Sequence, residues 1–370
     1  MKIVICTNHY SPSIGGCEIV TEKIAEYLSA DHDITVATRR MPGRNLSNFK
    51  YKILEYAPGD PRSFVEKLKS IQPQVILVYS DVFDFFRSLI TRPMTGKLVL
   101  ALCGANWLHS NKTFVRIFYR NLPNIHSIIC HSEYDRDYRL CTEPNFLSKT
   151  HIIPNGVDIE EFNTSVSREE LVDKYKVKKE VLGRKWILNV SNFFPGKGQE
   201  HLVDVLGSHF QNNEYHYFQV SSDIPFDIGK TLEIQWKQSL QTKKVSTTLL
   251  KNIPREDVIG FFNNSNVFAF TSEKEVAPIV ILEAMAAKLP WVAADVGNIR
   301  GLAGGKFVPA LKDRNYHSIF DDRVKNSFAG YIKNVWQSPA IGENGRIQIE
   351  KEMTWDIVLP KYKSIIEKCD

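Results

Sequence analysis

The chain has 370 residues, 43% hydrophobic and 24% charged, the balance of an ordinary globular protein with room for two or three domains. Its formal net charge of +5 suits anionic ligands or an anionic membrane surface, but it falls short of a nucleic-acid binder's charge and no nucleic-acid motif accompanies it, so no nucleic-acid partner is expected. No stretch approaches the roughly 18 apolar residues of a membrane span, and the run Ile3–Cys6 is too short for a secretory signal.

Short apolar runs alternate with amphipathic stretches from the start. Lys2–Cys6, Ile34–Ala37, Val75–Tyr79, Leu98–Leu102 and Ile128–Cys130 read as buried strands, and Glu18–Ala30 as a helix with Val20, Ile24, Tyr27 and Leu28 on one face. Asn111–Asn124 mixes Lys112, Arg116 and Arg120 with Phe114, Ile117, Phe118 and Tyr119. An ordinary amphipathic helix with a basic outer face is favoured there over an interfacial helix on an anionic membrane.

The texture changes near His151. Ile152-Ile153-Pro154-Asn155-Gly156-Val157-Asp158 is a strand running into an Asn-Gly turn, and polar sequence follows from Glu160 to Lys185. A domain boundary is placed near residue 165. A second series then offers Trp186–Val190, Tyr217–Val220, Val245–Leu250, Val267–Phe270 and Trp291–Ala294 as strands. Gln199–Leu206, Glu256–Asn263 and Pro278–Ala287 lie between them as helices, and Val358–Lys368 closes the chain as another. The alternation predicts an α/β protein with parallel sheets wrapped by helices. Its two doubly wound, Rossmann-like domains would be residues 1–165 and 166–353, followed by a helical segment, 354–370. Ligands of open α/β sheets bind outside the carboxyl ends of the strands, so a cleft faced by both domains is the expected site.

The six cysteines, Cys6, Cys17, Cys103, Cys130, Cys141 and Cys369, form neither a C-x-x-C pair nor a zinc-spaced cluster with histidine. A reducing, cytoplasmic setting without a bound metal is expected. Three junctions could carry chemistry. Pro12-Ser13-Ile14-Gly15-Gly16 follows the first strand; paired glycines admit a ligand to the backbone, and the helix start behind them favours phosphate. An ordinary turn is the more frequent meaning of such a segment. Val190-Ser191-Asn192-Phe193-Phe194-Pro195-Gly196-Lys197-Gly198 places a cation beside glycine-freed amide donors, which suits a diphosphate, though a solvated turn lysine explains the segment equally well. Neither loop carries a G-x-G-x-x-G or Walker A fingerprint, which disfavours a nicotinamide dehydrogenase.

The third junction is the most informative. After Val267–Phe270 comes a polar loop holding Glu275, then a helix with Pro278 at its start and Glu283 inside the apolar run Ile279-Val280-Ile281-Leu282-Glu283-Ala284-Met285-Ala286. A buried Glu283 needs a hydrogen-bonded partner; sugar hydroxyls would serve. The segment resembles the E-x7-E motif of retaining glycosyltransferases of family 4, the "glycosyl transferases group 1" domain. The Gly15-Gly16 loop, Ile153–Asp158, the Lys197-Gly198 loop and Ile253–Val258 resemble further family segments in the same order. The resemblance spans nearly the whole chain and is stronger in the second half.

It implies a GT-B fold with the last helix crossing back to the first domain, and a UDP-, GDP- or similar nucleotide sugar as donor, with no cofactor or metal. It assigns Glu275, aided by backbone N–H groups from Ala277 to Val280, a run that includes Pro278 and Ile279, to the transferred sugar. Glu283 goes to the ribose, Lys197 to the diphosphate, Asn252 and Ile253 to the base, and Gly15 and Gly16 to the donor phosphates. Two positions depart from the family: Asn192 stands where arginine is usual, and Cys103 where a histidine near the reacting carbon is common, with His109 further along that loop. Glu275, Lys197 and Cys103 are thus the candidate catalytic residues. The acceptor would be a hydroxyl of a glycan, glycolipid or small molecule, with peripheral membrane contact left open. Alternatives are a nucleotide-sugar epimerase of the same fold and a non-catalytic partner subunit, the latter favoured by Asn192 and Cys103 and opposed by Glu275, Glu283 and Lys197. Asp81, Asp84 and Asp295 read as surface or capping groups, and His9 as an acceptor contact or a structural residue.

Overall fold

The computed structural model describes all residues except 14, 58, 80–85, 92–93, 104–111, 134–143, 224–226, 314–316 and 370. The chain divides into two compact units, Met1–Gly156 with Trp355–Asp370, and Val157–Thr354. The division thus falls earlier than residue 165, for a physical reason. Val157 donates its N–H to the Met353 carbonyl at 2.9 Å and bridges Thr354. Phe162 is buried edge-on against Phe262, and its carbonyl accepts from Asn263 Nδ2. The polar stretch 160–185 is therefore no linker: it wraps the second core, with helix Arg168–Lys174 closed by a Ser167–Glu170 capping box.

In the first unit the strands are β1 (Lys2–Cys6), β2 (Asp33–Arg39), β3 (Lys52–Tyr56), β4 (Val75–Tyr79), β5 (Lys97–Ala101), β6 (Ile125–Cys130) and β7 (Thr150–Ile152). All pair in parallel in the order β3-β2-β1-β4-β5-β6-β7. The described helices are α1 (Gly16–Leu28), α2 (Pro61–Ile71), α3 (Phe86–Thr91), α4 (Lys112–Arg120) and α5 (Pro144–Leu147). In α4 Phe118 is buried against Phe146, while Arg116 and Arg120 are exposed; Asn111 lies outside the described residues.

The second unit carries β8 (Lys185–Val190), β9 (Tyr215–Ser221), β10 (Thr247–Lys251), β11 (Val267–Phe270), β12 (Trp291–Ala294) and β13 (Gly305–Val308) in the parallel order β10-β9-β8-β11-β12-β13. Its helices are α6 (Arg168–Lys174), α7 (Gln199–His209), α8 (Asp227–Lys243), α9 (Arg255–Asn264), α10 (Ile279–Ala286), α11 (Asp322–Gln337) and α12 (Ile341–Glu352). The last helix, α13 (Trp355–Glu367), packs in the first unit: Lys363 pairs with Asp31, Tyr362 and Ile366 are buried, and Gly156 lies so close to the Trp355 ring that a Cβ would collide with it. In each sheet the strand order reverses once, between β1 and β4 and between β8 and β11. Such switch points are where doubly wound sheets bind ligands.

His216 on β9 gives the second unit an acid sensitivity. Its ring is buried between the Ser246 and Thr248 hydroxyls at 2.9 and 2.8 Å, and burial, helped by the nearby Arg184 charge, pushes its pKa down to about 4 from 6.5. The unfolded chain therefore takes up this proton first as pH falls. The native advantage is intact above pH 6.5 and shrinks toward pH 4 by roughly 3 kcal/mol. Denaturant titrations at pH 7.5 and 4.5 should show a smaller stability loss for His216→Gln than for the wild type; parallel losses would contradict the assignment.

Candidate functional site

The switch point of the second unit is built by two loops stitched together. The loop after β8 turns through Gly196 (φ +82°) and Gly198 (φ +65°), left-handed conformations that favour glycine. At Gly198 the space is closed as well, since a Cβ would run into the Thr271 carbonyl beyond β11. The Thr271 hydroxyl donates to the Gly198 carbonyl at 2.7 Å; the Gly196 carbonyl accepts from Glu273 N–H at 2.8 Å and from the Ser272 hydroxyl at 3.1 Å. A buried polar layer supports the first loop. Asn189 Nδ2 donates to the Ala269 carbonyl at 2.7 Å, Gln219 Nε2 to the Ser191 carbonyl at 2.9 Å, and Gln199 Nε2 to the Ser191 hydroxyl and the Asn192 carbonyl, both at 3.0 Å.

On this frame Lys197 Nζ meets Glu275 Oε1 at 2.6 Å, and the Ser272 hydroxyl donates to the same oxygen at 2.7 Å. Both side chains are partly exposed, 31% for Lys197 and 15% for Glu275. A cation and a carboxylate that neutralise one another at a loop surface can be parted by a ligand that offers each a new partner. A glycine-rich turn opens into α7 at Gly198 and a polar loop into α10 at Pro278, and the amide donors of such first turns have no partner within the helix. Pro278 has no N–H, so the expected run of donors from Ala277 to Val280 is interrupted there. Ile279 and Val280 begin α10, and Ile279 is buried.

Glu283 is buried and its partner is Arg255, Nη1 to Oε1 at 2.5 Å, not a ligand hydroxyl alone as its place in an apolar run suggested. The guanidinium also reaches Glu161 Oε2 through Nη2 at 2.8 Å and Nε at 3.2 Å. Burial works against the Arg255 charge, but Glu283 and Glu161 outweigh it and hold its pKa above the ordinary value. Arg255 escaped the sequence reading; its only signal was its position at the start of a helix after Ile253-Pro254. Asn252 sits at φ +52°, accepting from Asp223 N–H at 2.9 Å and donating to the Asp223 carboxylate at 2.7 Å, while Ile253 packs on the core. Asn192, at the family's arginine position, accepts from Ser222 N–H at 2.7 Å and so ties its loop to the end of β9.

The loop after β12 clamps the Glu275 loop. Asn298 N–H donates to the Val276 carbonyl at 2.9 Å, and a Cβ at Gly297 (φ +53°) would collide with that carbonyl. Asp295, read as a surface or capping group, is instead buried and bidentate to Arg300 at 2.8 and 2.5 Å. Asp81, Asp84 and His109 lie outside the described residues.

In the first unit Gly15 caps α1 in extended backbone and Gly16 opens the helix. A Cβ at Gly15 would meet only the movable Glu18 carboxylate, so the packing around it does not by itself demand glycine. His9 is exposed, and its carbonyl accepts from the Thr7 hydroxyl at 3.0 Å. Cys103 is buried just past β5, beside Cys17 of α1.

Among the described residues, Glu200, His201 and Glu273 bring metal-capable atoms within 4.8 Å of one another. Tertiary contact, which sequence spacing does not reveal, creates this group. His201 Nε2 already bonds Glu273 Oε1 at 2.8 Å with its ring stacked on Phe320. That bond, ahead of opposing burial, holds the Glu273 carboxyl below its ordinary range. The atoms a cation would need are thus committed to each other, and we assign no metal to them.

A glycine-rich turn, a lysine, paired glutamates and helix starts lie at a topological switch point, an arrangement chemically suited to a ligand that carries phosphate and hydroxyl groups. Comparison with known proteins gives the same class. The family description "Glycosyltransferase Family 4" matches residues 14–161 and "Glycosyl transferases group 1" matches residues 172–308. The UDP-Gal:alpha-D-GlcNAc-diphosphoundecaprenol alpha-1,3-galactosyltransferase of Escherichia coli is 25% identical over 217 residues, covering 54% of this chain and 53% of that protein. The capsular polysaccharide biosynthesis glycosyltransferase CapM of Staphylococcus aureus is 26% identical over 125 residues, covering 34% of this chain and 31% of that protein. The matches therefore span about half or less of those relatives. Among solved structures, sucrose-phosphate synthase of Thermosynechococcus elongatus superposes with a TM-score of 0.80 at 18% identity over 99% of this chain and 98% of that one. Anabaena HepE in complex with UDP and glucose gives 0.77 at 16% identity over 100% of both chains. The chain belongs to the family 4 glycosyltransferases and has the GT-B fold.

Proposed function

We propose that the protein moves a glycosyl unit, with retention of anomeric configuration, from a nucleoside diphosphate sugar to a hydroxyl acceptor. The Lys197–Glu275 pair at the β8/β11 switch point carries this reading. A diphosphate competes for Lys197 and for the helix-start amides of Ile279 and Val280, and that competition releases Glu275 to accept hydrogen bonds from sugar hydroxyls. Charge developing on the leaving diphosphate meets donors already in place. The acceptor oxygen bonds to the anomeric carbon on the face from which the diphosphate departs. The leaving phosphate takes the acceptor proton, so the step needs neither a separate base nor a metal.

Glu283, held by Arg255, takes the ribose; Asn252 and Ile253 border the base; Gly15 and Gly16, at the first sheet's own switch point, keep the donor-phosphate role that family resemblance gives them. Asn192 serves as a strut, so the lost arginine is weak support for a non-catalytic subunit. The names of the two curated relatives, a galactosyltransferase acting on a diphosphoundecaprenol acceptor and a capsular polysaccharide enzyme, support a glycan or glycolipid acceptor. Any contact with an anionic membrane rests on the exposed Arg116 and Arg120, since Phe118 is used by the core.

A nucleoside diphosphate at 100 times its dissociation constant should stabilise the protein by about 2.7 kcal/mol, and the melting-temperature shift should persist in chelator. A panel of nucleoside diphosphates and their sugars, none of which raises the melting temperature, would defeat the donor-site assignment. With an active donor, the anomeric configuration of the product decides retention.

A further inference from the structure

Two cysteines far apart in sequence meet at the carboxyl end of the first unit's sheet. Cys17 lies in the first turn of α1, directly after Gly15-Gly16, and Cys103 lies two residues beyond β5. Their sulfurs are 3.4 Å apart, so both side chains already point at one another. A disulfide holds its sulfurs about 2.05 Å apart. Closing the bond therefore asks for an approach of roughly 1.3 Å, which side-chain rotation with a slight shift of the first turn of α1 can supply.

Cys17 differs from the other described thiols in its exposure. Cys6, Cys130 and Cys369 are buried. Burial pushes the Cys6 thiol far up and that of Cys369 to about 11. Cys17 is only half-buried and so can meet a small oxidant, while Cys103 waits behind it.

We propose that Cys17 and Cys103 form a reversible disulfide site that closes under peroxide, pins the Gly15-Gly16 loop to the end of β5 and switches sugar transfer off. Peroxide first oxidises the Cys17 thiolate: a sulfur–oxygen bond forms, the oxygen–oxygen bond breaks, and the departing oxygen leaves as water once protonated, giving a sulfenic acid. The Cys103 thiolate then attacks that sulfur. The sulfur–sulfur bond forms as hydroxide leaves and takes up the Cys103 proton as a second water. In total, two thiols and one peroxide give one disulfide and two waters, and an added dithiol reverses the change by exchange. In a reducing compartment the bond forms only on oxidative challenge. The effect on turnover rests on the transferase reading; formation of the bond does not.

The test treats the full chain with graded hydrogen peroxide, blocks remaining thiols with an alkylating agent, and maps peptides with a protease that cuts after Tyr10, separating Cys6 from Cys17. The expected result is a linked peptide pair holding Cys17 and Cys103 that disappears on reduction with dithiothreitol. Turnover with the sugar donor should fall at least tenfold as the link forms and return on reduction, whereas Cys17→Ser should keep its own turnover through the same peroxide range. The proposal is overturned if Cys17 and Cys103 remain separately alkylated, or if either links to another cysteine instead. It is equally overturned if the link forms without loss of turnover, or if Cys17→Ser is inactivated in parallel with the wild type. A protein that binds no nucleotide and transfers no sugar before peroxide treatment counts against the transferase reading, and the peptide map still decides the disulfide.

Discussion

Arg255→Met should destabilise the second unit by about 2–4 kcal/mol, and adding Glu283→Met should restore most of that loss. Removing one partner of a buried ion pair typically costs about 3–5 kcal/mol, because the other charge is left in a poorly solvated place. Glu283 is in that position, with a side chain only 5% exposed, while Arg255 is 45% exposed. Water entering where the guanidinium stood softens the penalty, which puts the expectation below the full range. The double variant carries no buried stranded carboxylate, since the Glu161 that also loses Arg255 is 37% exposed, and it offers an apolar side chain to a helix face that is already apolar. Urea titration of the wild type, both single variants and the double variant closes the cycle. Equal destabilisation of the double variant and Arg255→Met would mean that the pair is incidental to stability. Nucleotide affinity provides the second reading: if Glu283 binds ribose, the stable double variant still binds nucleotide poorly.

That ion pair also marks how far the sequence could be read. Of the strands that came through, β1, β4, β8, β11 and β12 lie inside their sheets and are buried along nearly their whole length, so their apolar runs are continuous; β2, β5, β6, β9 and the edge strand β10 were legible as well. The missed strands are at or near the sheet edges. β3, Lys52-Ile53-Leu54-Glu55-Tyr56, is mostly half-exposed, and β13 begins at Gly305, where the Trp291 ring leaves no space for a side chain. Within the site, Lys197, Glu275 and Glu283 were legible because loop glycines, an N-terminal proline and an acid inside an apolar run are local signals. Arg255, Asn189, Gln199 and Gln219 were not. A polar residue that is buried, like the last three, or that neutralises a buried carboxylate, like Arg255, looks like a surface one in the sequence, and only the long-range contact it makes shows otherwise. The boundary near residue 165 failed for a related reason: a polar segment can wrap a core through a few well-placed residues such as Val157 and Phe162.

Glu275→Gln should lower turnover about ten- to a hundredfold or more, since a charged hydrogen bond contributes about 1.5–3 kcal/mol, yet leave the affinity for free nucleoside diphosphate intact. The geometry sharpens this into a signed expectation. Lys197 and Ser272 both donate a hydrogen bond to Glu275 Oε1, at 2.6 and 2.7 Å, so a diphosphate at Lys197 competes with Glu275 for the ammonium. The glutamine keeps the shape but competes less for the ammonium. Free nucleoside diphosphate, which has no sugar to miss the carboxylate, should therefore bind the variant as tightly as the wild type or a few-fold tighter. Lys197→Met should act oppositely, weakening the diphosphate and lowering turnover by about 10²–10³, the usual loss when one donor to a developing oxyanion is removed. Glu283→Gln should weaken free nucleotide, because that ligand still carries the ribose. Calorimetric titration of the three variants with nucleoside diphosphate, run beside steady-state rates with the sugar donor, separates these roles. Loss of nucleotide affinity in Glu275→Gln equal to that in Lys197→Met, or unchanged turnover in both, would show that the pair is only a surface ion pair and that sugar and diphosphate are held elsewhere.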